Sequence, residues 1–390
     1  MAVDIISTLP EAILCHILSF LETKQAVATS ILSKRWKHLW LSVPTLCFTT
    51  PVTDHYTNFQ FKDFVYSVLL PRDATLPIKS FHFDVKYHHS ILCPIDSITK
   101  WINFVVQRRL EYLHLHPDAT GLPKLPVTIL TCKTLVVLKL LSFSVEEGFN
   151  SVVLPSLKTL HLEFIWFPKL RDFLIFLTGC PNLEDLLTYD VSFDSEEESL
   201  TCNEWKSFCL SKLITADIDC FRCYFPLKAV YNVPYLNLEI HQVHYKNNPI
   251  PTFHNLTELE LSSLNYSWQF LVEVLNHCPK LQKLGIDQAD VDEETWTRKD
   301  DKENWVDPDV VPHCLLLHLR TCKLFNFLGL QGELLLAKYI LKNARVLQTM
   351  RISNVGQTDL KRLIFSYPRA STTCKLIIWQ RFISKKLVDK

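Results

Sequence analysis

A chain of 390 residues can bury more than one core, and 48% hydrophobic with 21% charged residues excludes both a small stapled scaffold and a disordered chain. Forty-one basic side chains balance forty-one acidic ones, so no net field draws the chain to nucleic acid or to an anionic membrane, and a protein partner is expected. Thirteen cysteines, an odd number scattered through Leu-rich stretches, read as free thiols of a reducing compartment, the cytoplasm or the nucleus.

At the N-terminus no cationic segment precedes a long apolar run, so no secretory leader is expected. No stretch reaches the roughly 18 uncharged apolar residues of a spanning helix. Residues 4–48 read instead as three short helices. Pro10 suits a first helical turn, and Ile13, Leu14, Ile17, Leu18 and Leu21 follow at helical spacing. Thr23 is the expected cap of a second helix running through Ile31, and Ser33 of a third that sets Trp36, Leu39 and Trp40 on one side. So short a segment cannot bury all of that apolar surface against itself, which implies a partner; individual residues such as Ile17 and Trp36 serve equally well as bundle core.

The runs Asp4-Ile-Ile-Ser-Thr-Leu-Pro10, Ile17-Leu-Ser-Phe-Leu21, Ser30-Ile-Leu-Ser-Lys-Arg-Trp36 and Leu39-Trp40 together resemble an F-box. That resemblance implies docking to the Skp adaptor of a cullin-based ubiquitin ligase. Leu9, Pro10, Ile13, Leu14, Ile17 and Leu18 occupy the matching positions, and Leu21, Trp36 and Trp40 complete the expected adaptor-binding set. Ile5 stands where a basic residue is frequent and Glu22 where proline is frequent, which implies a looser turn rather than lost binding.

After a linker at residues 51–77, the period changes from helical to repetitive. The frame Leu-x-x-Leu-x-Leu occurs at Leu110/Leu113/Leu115, Leu135/Leu138/Leu140, Leu157/Leu160/Leu162 and Leu256/Leu259/Leu261, and with Ile last at Leu281/Leu284/Ile286. Ile78/Phe81/Phe83, Leu183/Leu186/Thr188, Leu213/Ala216/Ile218 and Val233/Leu236/Leu238 are degenerate copies. From Leu110 onward the starts lie 20 to 30 residues apart, the leucine-rich-repeat period. A lone repeat cannot bury its leucines, but a stack of parallel strands can. Arg171 to Cys180 and Trp268 to Cys278 read as convex helices that both end in Cys-Pro. A β-sandwich fits less well, because strict alternation is lacking. Residues 78–290 are therefore assigned to repeats and the acidic stretch 291–304 to a solvated loop.

Beyond that loop, Trp305-Val-Asp-Pro-Asp-Val-Val-Pro-His-Cys-Leu315, Leu-His-Leu319, Tyr339-Ile-Leu-Lys-Asn-Ala344 and Pro368-Arg369 resemble the FBD domain of plant F-box proteins, over residues 305–380. The expected fold is α/β: a short three-helix F-box, a leucine-rich-repeat solenoid of parallel strands with convex helices, and an FBD region continuing the solenoid.

Only seven glycines occur, never clustered as a phosphate-cradling loop requires, and the common hydrolase and nucleotide-binding signatures are missing, so neither an enzyme nor a cofactor is expected. Cys220-x-x-Cys223 with His241-x-x-His244 misses zinc-finger spacing, and no metal site is assigned; His88-His89 and His313-Cys314 read as structural or surface residues. Cys15 and Cys47 lack a neighbour that would make a reactive thiolate. Side chains alternate along a strand, so the non-leucine positions form an exposed strand face. Those positions are Tyr112, His114 and His116, then Thr159, His161 and Glu163, then Asp217 and Asp219, Asn237 and Glu239, and Glu258 and Glu260. The row turns acidic toward its C-terminal half and would suit a client with a basic segment, unless these are only solvated strand residues. The resemblance implies the substrate-recognition subunit of a cullin-RING ligase holding a client protein. The alternative is a leucine-rich-repeat scaffold or small-ligand receptor not coupled to ubiquitin transfer.

Overall fold

The computed structural model describes residues 6–88, 93–118, 121–149, 151–194, 208–219, 225–239, 250–262, 268–287, 308–354 and 359–380. The chain divides into two compact units, residues 1–201 and 202–390.

The first unit opens with α1 (Glu11–Leu18) and α2 (Thr23–Ala28), followed by 3-10 turns at Thr29–Ile31 and Trp36–Ser42. The expected cap of α2 acts differently. Thr23 is buried, and its Oγ1 accepts the Cys47 amide at 2.7 Å instead of capping its own helix. Glu22 takes the N-cap position, and its carboxylate accepts the Thr49 hydroxyl at 2.7 Å. The third expected helix is a 3-10 helix: three-residue closure, such as Trp36 N–H to Ser33 O at 3.1 Å, packs Trp36 and Leu39 inward.

The chain then enters the sheet as β1 (Thr45–Phe48), and the stretch expected to be a linker holds α3 (His55–Leu69). Asp54 starts α3 with a reciprocal cap: its carboxylate accepts the Thr57 amide at 2.8 Å, while Thr57 Oγ1 accepts the Asp54 amide at 3.0 Å. Phe61, Val65, Val68 and Leu69 bury one face of α3, and Arg72 follows it with its guanidinium inside the protein. That group donates to Val68 O at 3.2 Å and to Val43 O and Trp40 O at 2.7 Å each, tying α3 to the end of the helical module. The repeats continue as β2 (Ser80–Lys86), α4 (Ile95–Val106), β3 (Tyr112–Asp118), β4 (Val137–Ser144), β5 (Thr159–Phe167), α5 (Leu170–Thr178), β6 (Asp185–Tyr189) and β7 (Ser192–Phe193). β1 to β6 pair in chain order, all in parallel, and β7 adds to the end of β5.

The second unit holds β8 (Thr215–Asp219), β9 (Tyr235–Glu239), β10 (Glu258–Ser262), α6 (Trp268–Asn276), β11 (Lys283–Asp287), α7 (His313–Leu317), β12 (Thr321–Phe327), α8 (Gln331–Asn343), β13 (Thr349–Asn354), α9 (Asp359–Phe365) and β14 (Lys375–Gln380). Its strands are also parallel and paired in chain order, so β12 to β14 extend the sheet that β8 to β11 begin. No helix among the described residues is long and apolar enough to cross a membrane.

In both units the leucine frame becomes a ladder. Leu113, Leu138, Leu160 and Leu186 lie in register, as do Leu236, Leu259, Leu284, Cys322 and Met350, and all are buried. The degenerate copies obey the same rule, down to Thr188 and Ala216 in apolar slots. A second recurrence closes most of the turns: one carbonyl before a strand accepts two successive amides of the next repeat. Val136 O takes Lys158 and Thr159 N–H at 2.8 and 3.1 Å, and Gln282 O takes Arg320 and Thr321 N–H at 2.8 and 3.0 Å. A third is a left-handed residue late in the strand, at Ser142, Phe164 and Asn326 (φ of 59°, 53° and 51°), after which Phe143, Ile165 and Phe327 turn back into the core. The Cys-Pro helix endings place Cys180 and Cys278 in the interior, where burial pushes the Cys180 thiol up to about 12. Gly179 before the first of them has Val152 O only 2.5 Å from where a Cβ would sit, so the chain can approach there only with glycine.

Candidate functional site

Two parallel apolar rows run along the N-terminal helical module, one position apart. Leu14 and Leu18 point inward and form a core with Ala26, Trp36, Leu39 and Val43, against which Leu9, Cys15, Leu21 and Trp40 pack half-buried. Ile13 and Ile17, displaced by one residue, point outward with Phe20, and Ile31 and Leu32 of the following turn are exposed as well. These five range from 41% exposed for Ile17 to 86% for Ile31, and Pro10 and Ile6 are also open to solvent. Of the expected adaptor-binding residues, the surface therefore presents Pro10, Ile13 and Ile17. Leu14, Leu18 and Trp36 are enclosed by the module itself, and Leu9, Leu21 and Trp40 are half-buried. Phe20, Ile31 and Leu32 were absent from the sequence-derived set. The signal for Phe20 was there, since Ile13, Ile17 and Phe20 repeat the spacing of Leu14, Leu18 and Leu21 one residue earlier.

The strand face of the first unit is rich in imidazoles. His114 of β3 stacks on His82 of β2, with ring centroids 4.3 Å apart and planes 14° from parallel. His116 Nδ1 lies 2.8 Å from Asp84 Oδ1, and His161 Nε2 lies 2.9 Å from Asp185 Oδ2. Burial, with the His82 ring beside it, pulls His114 down to about 4, and burial lowers His82 as well, so the stacked pair is neutral near pH 7. Among the described residues, one set of three ligating side chains converges: His82, Asp84 and His114 bring one ligand atom each to within 4.8 Å of one another. The Cys220, Cys223, His241 and His244 pattern and the 291–304 loop lie outside the described residues.

In the second unit, the expected acidic row is not a bare negative strip. Glu258 pairs with Lys283 at 2.8 Å, and Glu260 with Lys323 at 3.2 Å. The register explains both, because Glu258 faces Lys283, whereas Gly285 stands between Glu260 and Lys323. A Cβ on Gly285 would lie 2.9 Å from Glu260 Cγ, so its absence lets the two charges meet across a strand. Asn237 Nδ2 donates to Asp217 Oδ1 at 3.0 Å, and Asp219 and Glu239 lie side by side in the same row. The expectation of an acidic row is thus corrected: lysines one and two repeats downstream, not counted in that row, supply internal counter-charges.

Comparison with known proteins matches three regions of the chain. An F-box domain model covers residues 6–48, a model described as "FBD-associated F-box protein At5g56370, LRR repeats" covers 98–230, and an FBD model covers 307–352. Similar proteins include the F-box/FBD/LRR-repeat protein At4g00160 of Arabidopsis thaliana, 31% identical over 97% of this chain and 94% of its own length. The F-box/FBD/LRR-repeat protein At4g26340 of the same plant is 31% identical over 96% of this chain and 99% of itself. The FBD-associated F-box protein At3g52670 is 30% identical over 96% and 97%.

Proposed function

This chain belongs to the F-box/FBD/LRR-repeat protein family, and we propose that it serves as a substrate-recognition adaptor of an SCF-type ubiquitin ligase, docking through its N-terminal module and holding a client protein on its strand face. The observation that carries the reading is the outward row of Ile13, Ile17 and Phe20 with Ile31 and Leu32, on a module whose own core is already filled by Leu14, Leu18 and Trp36. A small domain that completes its core and still exposes a contiguous apolar row is built to be covered by a partner. Catalysis would then act by proximity: the module anchors the assembly, and the strand face brings a client lysine to a ubiquitin carried by other subunits. No side chain of this protein needs to react. Burial raises the thiols of Cys15 and Cys47, the opposite of what a nucleophilic cysteine requires.

The test is capture of the intact protein by a purified Skp-type adaptor, beside the double variant Ile13→Asp/Ile17→Asp. Wild-type capture is expected, together with its loss in the variant, because two carboxylates desolvated without partners oppose an apolar interface by several kcal/mol. The variant should keep its circular dichroism, since both positions are exposed. Leu14→Asp is unsuitable, because it would unfold the module. Absence of wild-type capture would remove the ligase reading and leave a leucine-rich-repeat scaffold with another partner.

A further inference from the structure

We infer that the strand face of the first repeats carries a site for a divalent first-row transition-metal ion of the zinc class, with His82 and Asp84 of β2 and His114 of β3 as ligands and His116 positioning the Asp84 carboxylate. The donor set is two imidazoles and one carboxylate, ligands that suit zinc and its neighbours and that leave coordination positions open to solvent. The sheet brings them together by register: His82 pairs with His114, and Asp84 pairs with His116 one step along the same two strands. Four side chains therefore form a compact square on one face of two hydrogen-bonded strands, with a backbone that cannot splay.

Their chemistry is unusual for an ordinary solvated strand pair. Two stacked imidazoles 4.3 Å apart cannot both be protonated without repulsion, so the stacking itself favours the neutral ring that a metal requires. Asp84 supplies the negative charge. His116 Nδ1 lies 2.8 Å from Asp84 Oδ1 and can donate to it, which leaves the second carboxylate oxygen for an ion, an outer partner of the kind that orients ligating groups. Tetrahedral ligands at 2.0 to 2.2 Å from zinc stand about 3.4 Å from each other, so a set already within 4.8 Å closes by ring rotation alone. Two further groups flank the square in the same cross-strand row. Cys47 of β1 lies beside His82, on the side away from His114, and Lys139 of β4 lies beside His114. Lys139 opposes a cation there and lowers the expected affinity, and Cys47 is not among the proposed donors.

Zinc titration of the metal-stripped full-length protein by calorimetry, with a parallel cobalt(II) absorption spectrum, tests the site independently of the ubiquitin reading. One ion per chain is expected, with weak visible bands of nitrogen and oxygen ligation. His82→Ala and His114→Ala should each weaken binding by about 100-fold or more, and His116→Ala by about 10- to 100-fold, as loss of an outer partner does. All three side chains are half-exposed, so circular dichroism should not change. An intense near-ultraviolet thiolate band in the wild-type cobalt spectrum would overturn the inference, even if a variant failed to fold. Zinc binding unaltered by His82→Ala and His114→Ala would overturn it too, by placing the ion elsewhere, and so would no binding by the wild type.

Discussion

Glu333 is the residue whose surroundings strain hardest against its chemistry. It sits in the first turn of α8 with 1% of its surface exposed, between Trp268, Leu324, Phe327 and Leu336. Its Oε2 accepts the amides of Leu328, Gly329 and Leu330 at 3.0, 2.7 and 2.9 Å, while its Oε1 is buried without a hydrogen-bond partner among the described residues. The three amides favour the carboxylate, but desolvation outweighs them and lifts the group from 4.5 to about 7. The folded state then holds this proton more tightly than the unfolded state, so the contribution to stability is full below pH 4.5 and falls as pH rises to about 7. At about 1.4 kcal/mol per pH unit, the loss amounts to at most about 3.5 kcal/mol. Urea unfolding at pH 5 and pH 7.5 should show that decline in the wild type and a flatter one in Glu333→Gln. Equal slopes would mean that the carboxyl is ionised throughout. Nothing in the sequence marked Glu333, because a glutamate in the first turn of a helix ordinarily faces water; the apolar wall comes from side chains up to 65 residues away, at Trp268.

Among the elements, the strands and the two Cys-Pro helices, α5 and α6, were legible, and α3 was not. A leucine at every second position writes its own burial, and even the degenerate copies with Thr188 and Ala216 kept their place because neighbouring ladders fix the register. Truncating a rung should therefore be expensive: Leu160→Ala removes a fully buried side chain between two others and should cost about 2 to 5 kcal/mol in chemical denaturation. α3 escaped notice because Phe59 and Tyr56 stay exposed while Asn58 is buried, which blurs the helical period. The left-handed residues were equally hidden, since Ser142 and Phe164 are not types that announce such a conformation. Ser142→Gly should leave stability unchanged or raise it by up to about 1 kcal/mol, as relief of the left-handed penalty offsets glycine's entropy. Ser142→Val should lower it by more than that, and thermal melting of the pair decides; a valine tolerated as well as glycine would show that the left-handed conformation at Ser142 is not held as described. On the helical module, periodicity found the apolar residues but could not say which of two adjacent rows faced inward, and that choice was made by Trp36 and Leu39 arriving from the 3-10 helix.

At the scale of the whole molecule, the sequence implied an F-box followed by a row of parallel strands, and misjudged the field on the strand face because ion pairs there join residues 25 and 63 positions apart. Charge reversal at Glu258 and Glu260 sets four positive groups together, so Glu258→Lys/Glu260→Lys should weaken capture of a basic client and be more damaging at low salt than at high. Capture that is unchanged at both would assign client binding to other residues. The joint at Arg72 has a consequence of another kind. Its guanidinium grips three carbonyl oxygens and stays charged up to about 10, so neither salt nor any physiological change of acidity loosens it. With β1 woven into the same sheet, the helical module of the first unit has no pivot, and it stands on β1 and α3 as on a cantilever whose aim was set when the chain folded.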